Sequence, residues 1–342
     1  MISDLKIKKI FKGKTVLITG GTGSFGSTML KKIISQDCKI KIFSRDELKQ
    51  DIMRSKIKNE NVDFIIGDVR DKDSVDGVMS GVDIVFHAAA LKQVPSCEFF
   101  PEQAIATNII GSNIVFNSAI KNNVSKVVAL STDKSVLPIN AMGMSKSLME
   151  KTLLSKARQK KNKTIFTIVR YGNVIYSRGS VIPLFSSQII NKKNITVTNP
   201  EMTRFLITLD DAISLVFLAL DKGVSGDIFI KKSAASTIEQ LARCIKEIFN
   251  SNQKIKIIGT RHGEKIYETL ATKQELSFCD DKKTYYKIKL DSRDLNYDDY
   301  FKKGKYKIIE EDYTSHNTKK LSDTELKKIL VNIPELKNIL IK

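Results

Sequence analysis

The chain carries Thr15-Val16-Leu17-Ile18-Thr19 directly before Gly20-Gly21-Thr22-Gly23-Ser24-Phe25-Gly26, and a helical pattern follows to about Ile34. A short β-branched, apolar run is typical of a buried parallel strand. The glycines allow a tight turn whose backbone approaches a ligand closely, and amide groups at the start of the helix can bind a pyrophosphate. The order strand, glycine turn, helix therefore predicts a dinucleotide-binding turn.

Further apolar runs recur at residues 40–43, 63–69, 83–90, 126–130 and 164–169, with helical patterns between them. Strands that alternate with helices indicate βαβ units. We therefore expect an α/β fold: a doubly wound parallel sheet of the Rossmann type, with a smaller C-terminal α/β substrate-binding region. The predicted division gives residues 1–175 to the dinucleotide domain, completed by about 206–230. Residues 176–205 and 231–342 form the second region and the C-terminal tail.

The ends of the second to fourth predicted strands carry candidate cofactor contacts. Ser44 and Arg45 come first after the second strand and suit a ribose 2′-phosphate, so NADP is favoured. Asp46 follows directly, and an acidic side chain there suits NAD, so NAD stays possible. Asp68 is expected near the adenine, and small residues at Ala88, Ala89 and Ala90 let the backbone approach the cofactor. His87 is interpreted as a packing residue, with a role as base as the alternative.

The fifth predicted strand ends in Ser131-Thr132-Asp133-Lys134. Ligands bind at the carboxyl ends of strands in open α/β sheets, so a carboxylic acid beside an amine there is a possible acid/base pair. The alternative is that Asp133 only caps the following segment and that Lys134 is a solvated surface charge.

Several local patterns give weaker expectations. Thr107-Asn108-x-x-Gly111 is expected to open a long amphipathic helix, and residues 180–183 and 202–205 are expected in loops. His262 and His316 lie far apart without metal-ligand spacing, so no metal site is predicted.

The composition of the chain argues against a nucleic-acid-binding or membrane-spanning protein. The 342 residues are 42% hydrophobic and 28% charged, with 57 basic and 38 acidic residues and a net charge of +19. The lysines are spread along the chain and no nucleic-acid motif accompanies them, so no nucleic-acid partner is predicted. Four separated cysteines without a C-x-x-C pair fit a reducing compartment. We expect no signal peptide and no membrane span, and a cytoplasmic location.

Taken together, the motifs resemble the extended short-chain dehydrogenases/reductases, and in particular the nucleotide-sugar dehydratases and epimerases of bacterial polysaccharide synthesis. The resemblance is narrowest to the configuration-inverting UDP-N-acetylglucosamine 4,6-dehydratases of capsule and O-antigen pathways, some of which are labelled 4-epimerases. It runs from about Lys14 to Leu321. The segments that carry it, besides the glycine turn, are residues 89–95 (AALKQVP), 131–134 (STDK), 202–205 (MTRF), 261–265 (RHGEK) and 313–318 (YTSHNT).

One position departs from the superfamily pattern Y-x-x-x-K. Met142 and Lys146 occupy the matching positions. A thioether has no titratable proton, so Met142 cannot be the base that a tyrosine provides. The inverting dehydratases show the same substitution, so the resemblance implies an active enzyme, with an inactive homologue as the alternative.

The resemblance implies oxidation at carbon 4 of UDP-N-acetylglucosamine, loss of water across carbons 5 and 6, and inversion at carbon 5. Asp133 is then the candidate acid for the carbon 6 hydroxyl. Lys134 is the candidate group at carbon 5, acting as a base if a dry site lowers its pKa. Thr132 would orient the carbon 4 oxygen, and the acceptor of the carbon 4 hydroxyl proton is left open between Lys134 and a relayed water.

The resemblance also implies two sets of binding residues and a homo-oligomer, from dimer to hexamer. The UDP-sugar contacts are Lys92, Asn173, Ser180, Val181, Arg204, Arg261 and Glu264, of which the arginines would bind the diphosphate or, alternatively, only form surface ion pairs. The NADP contacts are Gly20, Thr22, Gly23, Ser24, Phe25, Gly26, Ser44, Arg45, Asp68, Val69, Ala88, Ala89, Ala90, Lys92, Asn108, Lys146 and Tyr171.

Two rival functions remain. A 4-epimerase also oxidises carbon 4 but needs no acid/base pair at carbons 5 and 6, and it relies on the tyrosine that Met142 replaces. A non-catalytic NADP-binding sensor would bind the cofactor without turning over any UDP-sugar.

Overall fold

The computed structural model describes residues 3–177, 179–291 and 308–340. Within these ranges the strands in chain order are β1 (Lys14–Thr19), β2 (Cys38–Ser44), β3 (Val62–Ile66), β4 (Ile84–His87), β5 (Lys126–Thr132), β6 (Ile165–Tyr171), β7 (Asn173–Val174), β8 (Ile195–Val197), β9 (Thr203–Ile207), β10 (Ile228–Lys231), β11 (Ala235–Thr237), β12 (Ile255–Ile257), β13 (Thr269–Ala271), β14 (Cys279–Asp281), β15 (Tyr285–Ile288) and β16 (Tyr313–Thr314).

The helices of the same ranges are α1 (Asp4–Phe11), α2 (Ser24–Ile33), α3 (Glu47–Lys56), α4 (Lys72–Met79), α5 (Val94–Phe99), α6 (Pro101–Ala104), α7 (Ser112–Lys121), α8 (Ala141–Ala157), α9 (Val181–Ile190), α10 (Leu209–Lys222), α11 (Ile238–Ile248), α12 (Lys273–Ser277), α13 (Asp323–Val331) and α14 (Pro334–Leu340). A π-helical segment covers Ile105–Gly111, and a 3₁₀ turn covers Asp133–Ser135.

A nine-stranded sheet in the order β14-β15-β10-β6-β5-β4-β1-β2-β3 forms the centre of the molecule. The strands from β10 to β3 are parallel, and β15 and β14 are added antiparallel at one edge. The predicted doubly wound parallel sheet is therefore confirmed. The chain order reverses between β1 and β4, which is where open α/β sheets bind ligands.

Apolar side chains from both faces of this sheet form two cores. Helices α4, α7 and α8 cover one face with residues such as Val75, Phe116 and Leu153. Helices α2 and α10 cover the other with residues such as Leu30 and Val216. Because both faces are covered, the central strands are apolar along their length rather than alternating.

A third core lies outside the main sheet and forms the smaller C-terminal region. Helices α9, α11, α13 and α14 pack around strand β8, with Phe185, Ile195 and Leu326 fully buried. Strands β14 and β15 come from residues 231–342 and extend the main sheet at one edge. The division of the chain into domains stays a prediction.

Two segments expected in loops are regular. Val181 starts α9, and Thr203–Ile207 is strand β9, paired with β11 and β7. Burial alternates along β9, with Thr203, Phe205 and Ile207 inward. The loop prediction for residues 202–205 was wrong. A strand with one buried face normally alternates apolar and polar residues, and the polar Thr203 at a buried position obscures that alternation in the sequence.

The helix predicted to open at Thr107 also differs. The helical backbone begins earlier, at Pro101 in α6. It continues through the π-helical segment, which contains Thr107, and then into α7. The Asn108 side chain there bonds Leu91 rather than solvent. Short π segments of this kind are frequent at functional sites.

His87 fits the packing interpretation. It is buried, and its ring nitrogens lie 2.8 Å from the hydroxyls of Thr19 and Ser112. Burial lowers the pKa of His87 to about 3, with help from the charge of Lys146. A neutral ring in this network is a structural hydrogen-bonding group.

Candidate active site

A cavity of about 1250 Å³ opens along the carboxyl ends of β1, β2, β4, β5 and β6. Its wall includes most of the predicted site residues, which are Gly20, Thr22, Gly23, Ser24, Phe25, Gly26, Ser44, Arg45, Asp68, Val69, Ala88, Ala89, Ala90, Lys92, Thr132, Lys134, Met142, Lys146, Tyr171, Asn173, Ser180, Val181, Arg204, Arg261 and Glu264. Asp133 and Asn108 lie behind the wall rather than on it. The structure brings these residues together, and their roles stay predictions.

The glycine turn is shaped by close backbone contacts. Gly20 has φ +64°, and a Cβ there would lie 2.8 Å from the backbone of Ala89. A Cβ on Gly26 would lie 2.5 Å from Gly21. Gly23 is the residue before α2, and the first residues of this helix lie on the cavity wall. Backbone amides in the first turn of a helix have no partner within the helix and are available to a ligand. These residues fit the pyrophosphate of a dinucleotide.

The end of β2 carries hydroxyl and charged side chains on the cavity wall. The Ser44 hydroxyl lies 2.9 Å from that of Thr22, and Arg45 lies on the cavity wall 3.5 Å from Asp68. The Asp46 carboxylate caps α3 by accepting from the Lys49 amide at 2.9 Å, and it also pairs with the Lys49 ammonium. Asp46 is therefore already engaged by the protein.

Asp68 is held by a neighbouring arginine. The Arg70 Nη2 donates to its carboxylate at 2.6 Å. Burial alone would raise the pKa of Asp68, but the Arg70 and Arg45 guanidinium groups outweigh burial and hold it below its usual value. The carboxylate is thus an acceptor near the expected adenine position.

Asn108 acts through the loop after β4. Its Oδ1 accepts from the Leu91 amide at 2.8 Å, and its Nδ2 donates to the Leu91 carbonyl and to Ser145. It is fully buried. These hydrogen bonds fix the loop against α8, and the cofactor contact of Asn108 stays a prediction.

The end of β5 carries a compact charged group. Thr132 donates to Asp133 Oδ1 at 2.9 Å, and Lys134 Nζ lies 3.0 Å from the same oxygen. The Lys134 side chain is 19% exposed. Thr132, not Asp133, caps the following 3₁₀ turn. The alternative of a capping aspartate with a solvated lysine is therefore wrong.

Glu268 is part of this group, and sequence reasoning missed it. It is 2% exposed, lies on the cavity wall, and places Oε1 3.3 Å from Lys134 Nζ. The one available signal was an acidic residue directly before the apolar residues of β13. A carboxylate in that position needs a buried partner.

A role for Lys134 as a base required a lowered pKa, and the structure gives a raised one. Burial alone would lower this pKa, but the carboxylates of Asp133 and Glu268 outweigh burial and raise it above its usual value. Lys134 is therefore held as an ammonium, which can donate a proton but cannot accept one.

Helix α8 supplies the residues of the altered Y-x-x-x-K pattern. Met142 packs against Cys97 and Ala104, and Lys146 Nζ donates to the Leu130 carbonyl at 2.7 Å. Burial lowers the pKa of Lys146 to about 8. Tyr171 also lies on the wall, but burial raises its pKa, so its phenol stays protonated.

The part of the cavity wall that comes from residues 173–264 carries unsatisfied polar atoms. Within the described ranges, Asn173 Oδ1 and Ser180 Oγ are buried without a hydrogen-bond partner. Buried polar atoms normally have partners, so these two indicate a place for a polar ligand.

The two arginines on this part of the cavity wall, Arg204 and Arg261, make different contacts. Arg204 donates to the carbonyls of Thr203 and Lys265, each at 2.8 Å, which fixes the segment around residue 265. Arg261 is exposed, and its amide donates to Glu264 Oε2 at 3.1 Å. The Arg261 guanidinium is therefore better placed than that of Arg204 to meet an anionic ligand.

Comparison with known proteins identifies the family. The family model described as "Polysaccharide biosynthesis protein" matches residues 16–290, and "Polysaccharide biosynthesis protein C-terminal" matches residues 291–337. The chain belongs to the polysaccharide biosynthesis protein family. This family is of the extended short-chain dehydrogenase/reductase type and comprises nucleotide-sugar dehydratases and epimerases. The resemblance found in the motifs is confirmed at this level.

Individual relatives cover nearly the whole chain. A protein of Rickettsia bellii named UDP-glucose 4-epimerase is 54% identical over 340 residues, which are 96% of this chain and 100% of the relative. The X-ray structure of Pen from Bacillus thuringiensis is 36% identical, with a TM-score of 0.87 over 95% of this chain and 98% of that one.

A more distant structure shows the fold alone. It is DesIV, a dTDP-glucose 4,6-dehydratase of Streptomyces venezuelae, crystallised with NAD and TYD. It is 19% identical, with a TM-score of 0.68 over 74% of this chain and 86% of that one. In the described part of this family member, no helix is long and apolar enough to cross a membrane.

The glycine turn yields a testable prediction. Gly20→Ala should weaken binding of a nicotinamide dinucleotide, NADP or NAD, at least about tenfold, because the added methyl group must push the turn away from Ala89. Gly81→Ala is the matched control, since Gly81 has φ +69° but no atom within 4 Å of the added Cβ. Both variants should lose ~1–2 kcal/mol of stability from the left-handed backbone. Fluorescence titration with each dinucleotide and thermal unfolding measure the two effects. Equal dinucleotide affinity in both variants would contradict the prediction.

Proposed function

We propose that this protein is a configuration-inverting UDP-N-acetylglucosamine 4,6-dehydratase that makes a UDP-2-acetamido-2,6-dideoxy-L-hexos-4-ulose for surface polysaccharides. The observation that carries the proposal is the ammonium of Lys134, held between the carboxylates of Asp133 and Glu268 at the cavity wall. Oxidation and reduction at carbon 4 alone need no such group. Loss of the carbon 6 hydroxyl needs a proton donor within hydrogen-bond reach.

The proposed cofactor is NADP. When bound, its nicotinamide supplies hydride removal at carbon 4 of the sugar and hydride return at carbon 6. Arg45 on the cavity wall supports a 2′-phosphate, since a guanidinium matches phosphate oxygens. Asp46, which would favour NAD, is occupied by α3 and Lys49. NAD remains the second candidate, because the distant DesIV structure contains it.

At carbon 4 the chain must orient one oxygen and remove one proton. Thr132 lies on the wall beside Lys134 and is assigned to orient this oxygen. Met142 has no proton to exchange, and Lys134 is already an ammonium, so the hydroxyl proton is assigned to a water relay that ends at Lys146. Because the pKa of Lys146 is about 8, both of its protonation states are populated near neutral pH.

At carbon 6 we assign the proton donor to Lys134. The hydroxyl leaves with its bonding electrons and takes a proton from the ammonium, so that water departs. Asp133 was the acid expected from sequence, but it lies behind the wall and is fully buried. It is therefore assigned to hold the charge of Lys134. In the same elimination carbon 5 gives up its proton to a water molecule, and the C5–H electrons form the double bond to carbon 6. After hydride returns to carbon 6, carbon 5 takes a proton from water on the opposite face, which inverts that centre.

The nucleotide is assigned to the end of the cavity lined by the C-terminal region. Arg261 would bind the diphosphate, and the unsatisfied atoms of Asn173 and Ser180 would bind polar groups of the UDP-sugar. Glu264, Val181 and Lys92 complete this proposed site on the wall. The Arg204 guanidinium, bound to backbone carbonyls, supports the site by fixing the segment that precedes Glu268.

The second candidate function is a UDP-glucose 4-epimerase, favoured by the name of the Rickettsia bellii relative. An epimerase returns hydride to carbon 4 and has no use for a proton donor at carbon 6. Met142 in the place of the expected tyrosine also weighs against this candidate.

Proton NMR in D₂O separates the candidates. Wild-type protein with NADP⁺ and UDP-N-acetylglucosamine should produce a methyl signal at carbon 6, deuterium at carbon 5 and an L-configured keto sugar. UDP-N-acetylgalactosamine without solvent deuterium, or UDP-galactose from UDP-glucose in a parallel sample, would instead establish the epimerase. NADP binding without turnover of a panel of UDP-sugars would support the sensor.

The cofactor assignment is tested by Arg45→Ala. Loss of the guanidinium should weaken NADP binding about tenfold and leave NAD binding nearly unchanged, since only the 2′-phosphate is affected. Arg54→Ala is the matched control, because Arg54 lies in α3, the helix that follows Arg45, and is not on the cavity wall. Equal losses for NADP and NAD in titrations of Arg45→Ala would contradict NADP preference.

A further inference from the structure

Glu268 and the C-terminal motif of residues 313–318 have no role in the resemblance-based mechanism, yet they meet beside the proposed acid. Glu268 Oε1 lies 3.3 Å from Lys134 Nζ, and within the described ranges its Oε2 is buried without a hydrogen-bond partner. A buried carboxylate that faces a cavity and holds a lysine is not a surface ion pair. Its position needs a cause.

Ser315 supplies that cause. Its hydroxyl accepts from the Glu268 amide at 2.9 Å, and its own amide donates to the Glu268 carbonyl at 2.8 Å. The same hydroxyl donates to the Thr203 carbonyl at 3.0 Å, and Ser315 is fully buried. Strand β16 pairs with β13 directly beside these contacts. Ser315 of this motif therefore binds both the amide and the carbonyl of Glu268 and fixes its backbone.

The surroundings of Lys134 explain what Glu268 contributes. Two carboxylates, Asp133 and Glu268, lie within 3.3 Å of the ammonium. The positive charges of Lys265 and Arg204 act on the same group and oppose the ammonium form of Lys134. Lys265 Nζ donates to the Val136 carbonyl at 2.8 Å and lies 4.0 Å from Glu268 Oε2. Asp133 alone would have to offset burial and two cations, so the second carboxylate adds to the stabilisation of the ammonium.

We propose that Glu268 is a positioning residue of the dehydration: seated by Ser315, its carboxylate holds Lys134 Nζ at the cavity wall as the ammonium that protonates the departing carbon 6 hydroxyl. This inference rests on the proposed function. In the step, one N–H bond of Lys134 breaks and an O–H bond of the departing water forms, which leaves a neutral amine beside Glu268. The amine regains its proton from water before the next turnover.

The pH dependence follows from the charges. An acid is active below its pKa, so activity is lost as pH rises through that pKa. Two carboxylates raise the pKa of Lys134, which places the alkaline loss of activity in the wild type at high pH. Glu268→Gln keeps the size of the side chain and removes one negative charge. It should shift the alkaline loss of activity down by about 1 pH unit or more.

The experiment measures two steps in Glu268→Gln, Glu268→Asp and wild type from pH 6 to 10.5. Absorbance at 340 nm in a single turnover reports oxidation at carbon 4, and the carbon 6 methyl signal reports dehydration. Oxidation should persist in Glu268→Gln, because Lys134 takes no part in it, while dehydration shows the downward shift. Glu268→Asp keeps the charge and should move the profile back toward wild type.

Glu247→Gln is the matched control, since Glu247 is a solvent-facing carboxylate paired with Lys327 and remote from the cavity wall. NADP titration and thermal unfolding establish that each variant is folded. Superimposable dehydration profiles for wild type and Glu268→Gln would overturn the inference. Parallel loss of both steps at every pH would also overturn it, by showing a merely structural role. A wild type that epimerises would overturn the proposed function and this inference together, whereas a dehydrating wild type with an unshifted variant overturns the inference alone.

Discussion

The ion pairs of Lys134 with Asp133 and Glu268 join two distant parts of the chain at the cavity. An ammonium removed from water needs nearby anions, because uncompensated burial of a charge is strongly destabilising. One anion, Asp133, follows β5 directly, and the other, Glu268, arrives just before β13. The main sheet and the C-terminal region must therefore meet at this point. The cavity lies where they meet, and its proposed acid is a product of that junction.

A second buried ion group stabilises the same junction from behind. Arg170 at the end of β6 pairs with Glu150 of α8 at 2.6 Å and with Glu275 of α12 at 2.8 Å. The Ser135 hydroxyl lies 2.8 Å from Glu150 Oε1 and 2.6 Å from the Thr132 carbonyl, and it can donate to either of them. Burial alone would raise the pKa of Glu150, but Arg170 outweighs burial and lowers it. Loss of Arg170 would leave Glu150 buried without its ion-pair partner, so this pair stabilises the turn that carries Lys134.

The sequence predicted those parts of the fold and site that depend on local patterns. The glycine turn, the parallel strands and the charged end of β5 follow from residue order alone, and the structure places them at one cavity. Strand β9 was missed because Thr203 takes an inward position, and Glu268 was missed because no local pattern joins it to Lys134. The raised pKa of Lys134 has the same origin, since it depends on a contact between distant segments. The domain division, site roles, NADP preference, cytoplasmic location and homo-oligomer stay predictions.

The central claim is that hydride removed from carbon 4 returns to carbon 6 after an acid has expelled the carbon 6 hydroxyl. The most direct test supplies UDP-N-acetylglucosamine with deuterium at carbon 4 in ordinary water and follows the label by deuterium NMR. The account predicts that the label appears in the new methyl group at carbon 6. Label that remains on carbon 4 of an epimerised sugar would contradict it.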